Sequence, residues 1–123
     1  MSVPSQNYIH GTWTDATSGQ TFEVTSPADP NDRIGHFPAS GPTDVDEAVE
    51  AAANTQSDWD DYPAPQRGQI LRTAGDLLSD RKADIAEAMT REMGKPFFET
   101  KGDVQEAIDT AYYTASETRR LFG

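Results

Sequence analysis

The chain changes its hydrophobic rhythm once. Up to Pro38 apolar and polar positions alternate in short runs, whereas from Val45 onward apolar residues recur three and four positions apart. Tyr8-Ile9 and Trp13-Thr14 flank His10-Gly11-Thr12, a glycine-containing connection of the kind that closes a hairpin, with two aromatic residues near the turn to pack on a neighbouring surface. Residues 15–20 form a Gly/Ser/Thr-rich loop, and Thr21-Phe22-Glu23-Val24-Thr25 alternates with period two, which predicts a half-buried strand. Ser26-Pro27-Ala28-Asp29-Pro30-Asn31-Asp32 is turn chemistry throughout. Residues 33–37 make a second strand, ended by Pro38. The expectation is two short hairpin-like strand pairs and not a full sheet.

About four amphipathic helices follow. The first is capped by Thr43 or Asp44, with the Asp44-to-Glu47 spacing of a capping box, and carries an alanine-rich stripe of Val45, Ala48, Val49, Ala52 and Ala53. Trp59 falls at or just beyond its end, and Asp60-Asp61-Tyr62-Pro63 breaks it. Pro65 suits the first turn of a second helix with Ile70, Leu71, Ala74, Leu77 and Leu78 on its buried face. Gly75 inside that helix weakens it by about 0.5–1 kcal/mol relative to alanine, which implies a close neighbour there. Residues 79–82 separate it from a third helix bearing Ile85, Ala88, Met89 and Met93 and stopped by Gly94. Pro96 prevents a restart, and Thr100 opens a fourth helix presenting Val104, Ala107, Ile108, Ala111, Ala115 and Phe122. Residues 1–123 show no repeat and no internal domain boundary. The helices have more apolar faces than the strand pairs can cover, so the chain reads as written to pack onto a further domain.

Charge narrows the partners. Twenty-one acidic residues oppose ten basic ones for a formal charge of −11, which argues against direct binding of nucleic acid or anionic lipid. Asp outnumbers Glu and only three basic residues are lysines. One reading is a halophilic surface whose carboxylates hold water and cations; the other is an acidic mesophilic protein. There is no cysteine, which fits a reducing compartment. No apolar run approaches the roughly 20 residues needed to cross a bilayer, and the first seven residues lack a signal pattern, so a soluble, cytoplasmic protein is expected.

Candidate chemistry is sparse. His10 reads as a turn residue, His36 as a solvent-facing strand position, and Met89 and Met93 as core filler. Glu92 is the most interesting carboxylate: at a helix C-terminus it opposes the macrodipole by roughly 0.3–1 kcal/mol when exposed, so it needs solvent or a nearby cation, which Lys95 could supply. Lys95 itself reads as solvated and not as a desolvated base. The pairs Asp60/Asp61 and Asp44/Asp46 read as surface and cap. Neither Gly-x-Gly-x-x-Gly nor a Walker-type loop occurs, so no phosphate cradle can be assigned.

The segment Glu92-Met93-Gly94-Lys95-Pro96, followed by Gly102-Asp103-Val104-Gln105-Glu106, resembles the amino-terminal region of the aldehyde dehydrogenase superfamily. Tyr8 to Trp13, Pro27-Ala28, Asp44 to Ala48, Trp59 and Arg67 run in register with it. The resemblance implies an α/β parent fold of which residues 1–123 are the amino-terminal part of the coenzyme-binding half. It implies NAD or NADP as cofactor, a small aldehyde as substrate and a homo-oligomer as the assembly. Further along the parent, a cysteine would form a thiohemiacetal with the aldehyde and a glutamate would activate water, so this segment alone would be inactive and no catalytic or coenzyme contact falls in it. Several members hold a sodium or potassium ion near this place. The positions that match are the carbonyls of Val24 and Thr25 and the carboxylate of Glu92, oxygen ligands as a hard cation requires. Ser26 stands where Asn is usual, and Glu92 where many members have Asp. Glu117-Thr118-Arg119-Arg120-Leu121, together with the 91–95 and 102–109 segments, is similar to semialdehyde-oxidising members, including those acting on 2,5-dioxopentanoate. The alternatives are an acidic helical interaction module and a non-catalytic structural member of the family.

Overall fold

A computed structural model describes residues 5–120. Four strands, β1 (Asn7–Ile9), β2 (Thr12–Thr14), β3 (Thr21–Thr25) and β4 (Arg33–Pro38), precede four helices, α1 (Pro42–Asp61), α2 (Ala64–Asp80), α3 (Lys82–Met93) and α4 (Phe97–Glu117). The strands pair as two separate antiparallel ribbons, β1 with β2 and β3 with β4. The chain divides into two compact units, Met1–Asp61 and Tyr62–Gly123, at a point where the sequence showed only a helix break.

In the first unit Ile9 pairs with Thr12, so the β1–β2 loop is the two residues His10 and Gly11, and Thr12 already belongs to β2. Both loop residues have positive φ, 51° and 77°, the backbone a tight type I′ connection demands. Tyr8 and Trp13 face each other across the ribbon with ring centroids 4.9 Å apart. Their packing partner is thus each other, and both remain more than half exposed. Because a left-handed backbone strains most side chains but not Asn, His10→Asn should stabilise the hairpin by up to about 1 kcal/mol. Slower amide exchange in β1 and β2 checks this; faster exchange would show that the imidazole does more than turn the chain.

β3 and β4 pair Phe22 with Phe37 and Glu23 with His36, and the ladder slips between Val24 and Thr25. Pro38 lies opposite Thr21 as the last residue of β4 and does not merely follow the strand; its missing N–H is tolerated on a two-stranded ribbon, where one side of every strand is an edge. Glu23 draws the guanidinium of Arg33 to 3.4 Å and the imidazole of His36 to 3.7 Å at the surface. In the intervening turn the Asp29 carboxylate accepts from the backbone N–H of Asn31 at 3.0 Å. α1 begins at Pro42, earlier than the cap positions suggested, and runs through Trp59 to Asp61. Pro63 disfavours helical backbone at Tyr62 and so ends it. On its stripe only Ala48 is half-buried, while Val45, Val49, Ala52 and Ala53 are exposed.

In the second unit α2 and α4 are antiparallel, since Gly68 approaches Ala115 and Thr118 while Gly75 approaches Ala111 and Tyr112. The buried line of α2 is therefore Gly68 and Gly75, flanked by half-buried Leu71 and Leu78; Ile70, Ala74 and Leu77 are exposed. A helix that brings its backbone against a neighbour at two glycines cannot also turn the adjacent stripe inward. Arg81 alone separates α2 from α3. Gly94 caps α3 in the left-handed conformation at φ 71°, its N–H bonded to the Thr90 carbonyl at 2.9 Å. Pro96, with extended backbone, is the residue before α4, and its carbonyl accepts from Glu99 and Thr100. α4 thus starts three residues ahead of Thr100, which is a fully buried interior position and not a cap. Ala86, Val104 and Ile108 form the core, with Leu78, Ile85, Met89 and Tyr112 against it. Met89 fills the core as expected, but Met93 is exposed. Phe122 lies outside the described residues.

Candidate functional site

Three polar constellations are organised by these elements. Asp44 is the third residue of α1, where a carboxylate can reach back over the helix start. One of its oxygens accepts from the Gly41 N–H at 2.7 Å. The other accepts from both the N–H and the hydroxyl of Thr17, each at 2.7 Å. The capping spacing in the sequence is thereby realised in reverse, with the acid inside the helix, and it also ties down the 15–20 loop. Those backbone donors, Gly41 first and then Thr17, hold the Asp44 carboxyl below the usual carboxylate range. A depressed folded pKa adds stability that is complete above the unfolded value of about 3.9 and lost as pH falls through the folded value. Acid unfolding of Asp44→Asn followed by circular dichroism should therefore show a weaker pH dependence below about pH 4 than the parent; identical curves would mean the clamp contributes nothing.

The second constellation joins the start of α4 to the loop after α3. The Lys95 ammonium donates to Asp103 at 2.6 Å. That hydrogen bond chiefly raises the Lys95 pKa, with Glu99 and Glu106 adding to it. Lys95 is thus half-buried and paired, where the sequence suggested a solvated side chain. Its partner is Asp103 and not Glu92. Glu92 is exposed at the last turn of α3, and no hydrogen bond or ion pair engages its carboxylate among the described residues. Of the three positions matched to an ion site, Val24 and Thr25 belong to the first unit and Glu92 to the second. Among the described residues no group of three or more His, Cys, Asp or Glu side chains is placed to hold a metal.

The third is buried. The Thr100 hydroxyl lies 2.8 Å from that of Thr90 and 3.0 Å from the carbonyls of Ala86 and Phe97. It stitches α3 to α4 and has no exposed face, so its work is structural. Sequence reasoning missed this buried hydroxyl and the tether at Asp44. Thr and Asp are common cap residues, and nothing local distinguishes a cap from a cross-link.

Each of the three constellations ties a loop or helix to its neighbour. Residues 13–123 match the aldehyde dehydrogenase family model, and the chain belongs to that family. It is 42% identical along its whole length to an alpha-ketoglutarate semialdehyde dehydrogenase of Haloferax volcanii, covering 26% of that protein. A crystal structure of an NADP-dependent enzyme from E. coli superposes with a TM-score of 0.91 at 34% identity, over 96% of this chain and 24% of that one. An aldehyde dehydrogenase from Brucella melitensis biovar abortus does so with the same score at 38% identity, again over 96% and 24%. The chain thus spans about a quarter of the length of the relatives it matches, and the two ribbons and four helices are an amino-terminal portion of that fold. No helix among the described residues is long and apolar enough to cross a membrane.

Proposed function

We propose that residues 1–123 are the amino-terminal part of the coenzyme-binding half of an NAD(P)-dependent aldehyde dehydrogenase that oxidises a semialdehyde to the acid, with 2,5-dioxopentanoate the first candidate. The observation that carries this is the family match along nearly the whole chain, with a semialdehyde dehydrogenase among its relatives. The structural role of the segment is to brace the nucleotide-holding body through its uncovered apolar faces. Val45, Val49, Ile70, Leu77 and Phe98 are all exposed, Phe98 by 75%. That many exposed large apolar side chains favour a partner body over a self-contained interaction module. The reaction chemistry belongs to a cysteine and a glutamate elsewhere in the protein. The partners in this reading are a small aldehyde, the coenzyme and further copies of the subunit in the cytoplasm. The acidic surface is read as halophilic, in keeping with the Haloferax relative.

The full-length protein, assayed for aldehyde-dependent reduction of NAD and of NADP over a panel of semialdehydes, should give its highest kcat/KM with 2,5-dioxopentanoate. Activity on another aldehyde would move the substrate, and none on any would leave the non-catalytic family member. In the same proposal a sodium or potassium ion is held by the carbonyls of Val24 and Thr25 and by Glu92. The support is the break in the β3–β4 ladder at Val24 and Thr25, where regular pairing of backbone groups is interrupted, and an exposed Glu92 whose neighbour Lys95 is committed to Asp103. Glu92→Gln should reduce the gain in thermal midpoint that potassium or sodium gives the full-length protein at matched ionic strength. An unchanged gain removes Glu92 from the ion.

A further inference from the structure

Between the first turns of α2 and the end of α4 lies a hollow of about 400 Å³ lined by three of the chain's basic side chains, Arg72, Arg119 and Arg120, with Gln69, Tyr112 and Ser116 between them. Its floor exists because position 68 carries no side chain: a Cβ there would sit 2.6 Å from the Ala115 carbonyl oxygen. In a chain of net charge −11, guanidinium groups are expected to be neutralised by the surplus carboxylates. Here only Arg120 is, by Glu117. The Arg72 guanidinium lies 5.5 Å from the centroid of the Tyr112 ring, held by a π-face instead of a carboxylate. Tyr112 in turn donates to one oxygen of Asp76 at 2.7 Å. No ion pair or side-chain hydrogen bond engages Arg119 among the described residues. The dipole of α4 accounts for cations beyond its C-terminus, but not for Arg72 in the middle of α2.

We propose that this hollow is a binding site for a small dianionic oxyanion, a phosphate-bearing or dicarboxylate molecule, gripped by Arg72 and Arg119. Guanidinium forks match carboxylate and phosphate oxygens in pairs, and their bonds to ionised acceptors are among the strongest hydrogen bonds available. The amide of Gln69 supplies a neutral donor at its margin, and the Tyr112 ring an apolar wall for a short carbon body.

The test is isothermal titration and thermal unfolding of the full-length protein with inorganic phosphate and, separately, with succinate, at fixed ionic strength against chloride. Saturable binding of at least one is expected, weakened about tenfold or more in the Arg72→Gln/Arg119→Gln double variant. Phosphate alone binding identifies a phosphate-bearing ligand, and succinate binding a dicarboxylate. If the double variant loses its circular dichroism spectrum, Arg119→Gln carries the test alone, since that exposed side chain makes no hydrogen bond or ion pair among the described residues, and a weakening of at least about threefold is expected. No saturable binding of either anion overturns the proposal. So does binding that persists unchanged in the variants, which would place the anion elsewhere in the protein.

Discussion

Gly68→Ala should weaken the α2–α4 pairing by about 1–3 kcal/mol, the usual cost of overpacking a closed contact, and should do so more than Gly75→Ala. Alanine in a helix interior gains about 0.5–1 kcal/mol over glycine, so the sign is decided by what the new methyl meets. At position 68 it meets the hydroxyl oxygen of Thr118 and, at 2.6 Å, the backbone carbonyl oxygen of Ala115. A side chain can rotate away, but a helical carbonyl cannot without moving α4. At position 75 the methyl meets the edge of the Tyr112 ring at 2.7 and 2.9 Å and the Ala111 methyl at 3.4 Å. The ring can swing outward only by giving up its hydroxyl bond to Asp76 and its place beneath Arg72, so this substitution also costs, though less. Hydrogen exchange at the α2 and α4 amides of the full-length protein reads both, each tenfold loss of protection being about 1.4 kcal/mol. Equal protection in parent and Gly68→Ala would mean that the helices stand further apart than described.

The two glycines also show how far the sequence could be read. Gly75 betrayed itself, because a helix former is expected where it stands and only a close neighbour explains its presence. Gly68 sits seven residues earlier on the same face, yet so near the first turn that a glycine there signals nothing. Glycine contributes no hydrophobicity, so periodicity located the apolar stripe on Ile70, Ala74 and Leu77 as well as on Leu71 and Leu78, and the structure buries only the second pair, partially. The strand pairs, the glycine turn between the first two strands, though without Thr12 in it, and the stop at Gly94 were legible because each rests on local backbone chemistry. Tertiary partners were not. The cross-ribbon meeting of Tyr8 with Trp13, the tether from Asp44 to Thr17 and the Lys95–Asp103 pair each join residues whose relation no local rule states. The family was legible for a different reason: its motifs are spread along the chain in order, so agreement at each adds to the rest.

Thr100→Val is the second substitution expected to have a large effect, at about 1–3 kcal/mol, because it removes a buried hydroxyl and leaves its partner in place. Valine keeps the branched shape, so packing against Ala86 is retained and the measured loss belongs to the hydrogen bonds. The hydroxyl proton can go to the carbonyl of Ala86 or of Phe97, each at 3.0 Å, or to Thr90 at 2.8 Å. Without it the half-buried Thr90 hydroxyl faces a methyl group. Thr90→Val/Thr100→Val removes both partners, and a buried pair replaced by apolar groups of the same shape is nearly neutral. The double variant should therefore recover most of the stability lost by Thr100→Val, a coupling that a double-mutant cycle on α3 and α4 amide exchange resolves. A double variant as unstable as the sum of the singles would show that the two hydroxyls act on separate partners, and that the junction of α3 with α4 rests on its small apolar core alone.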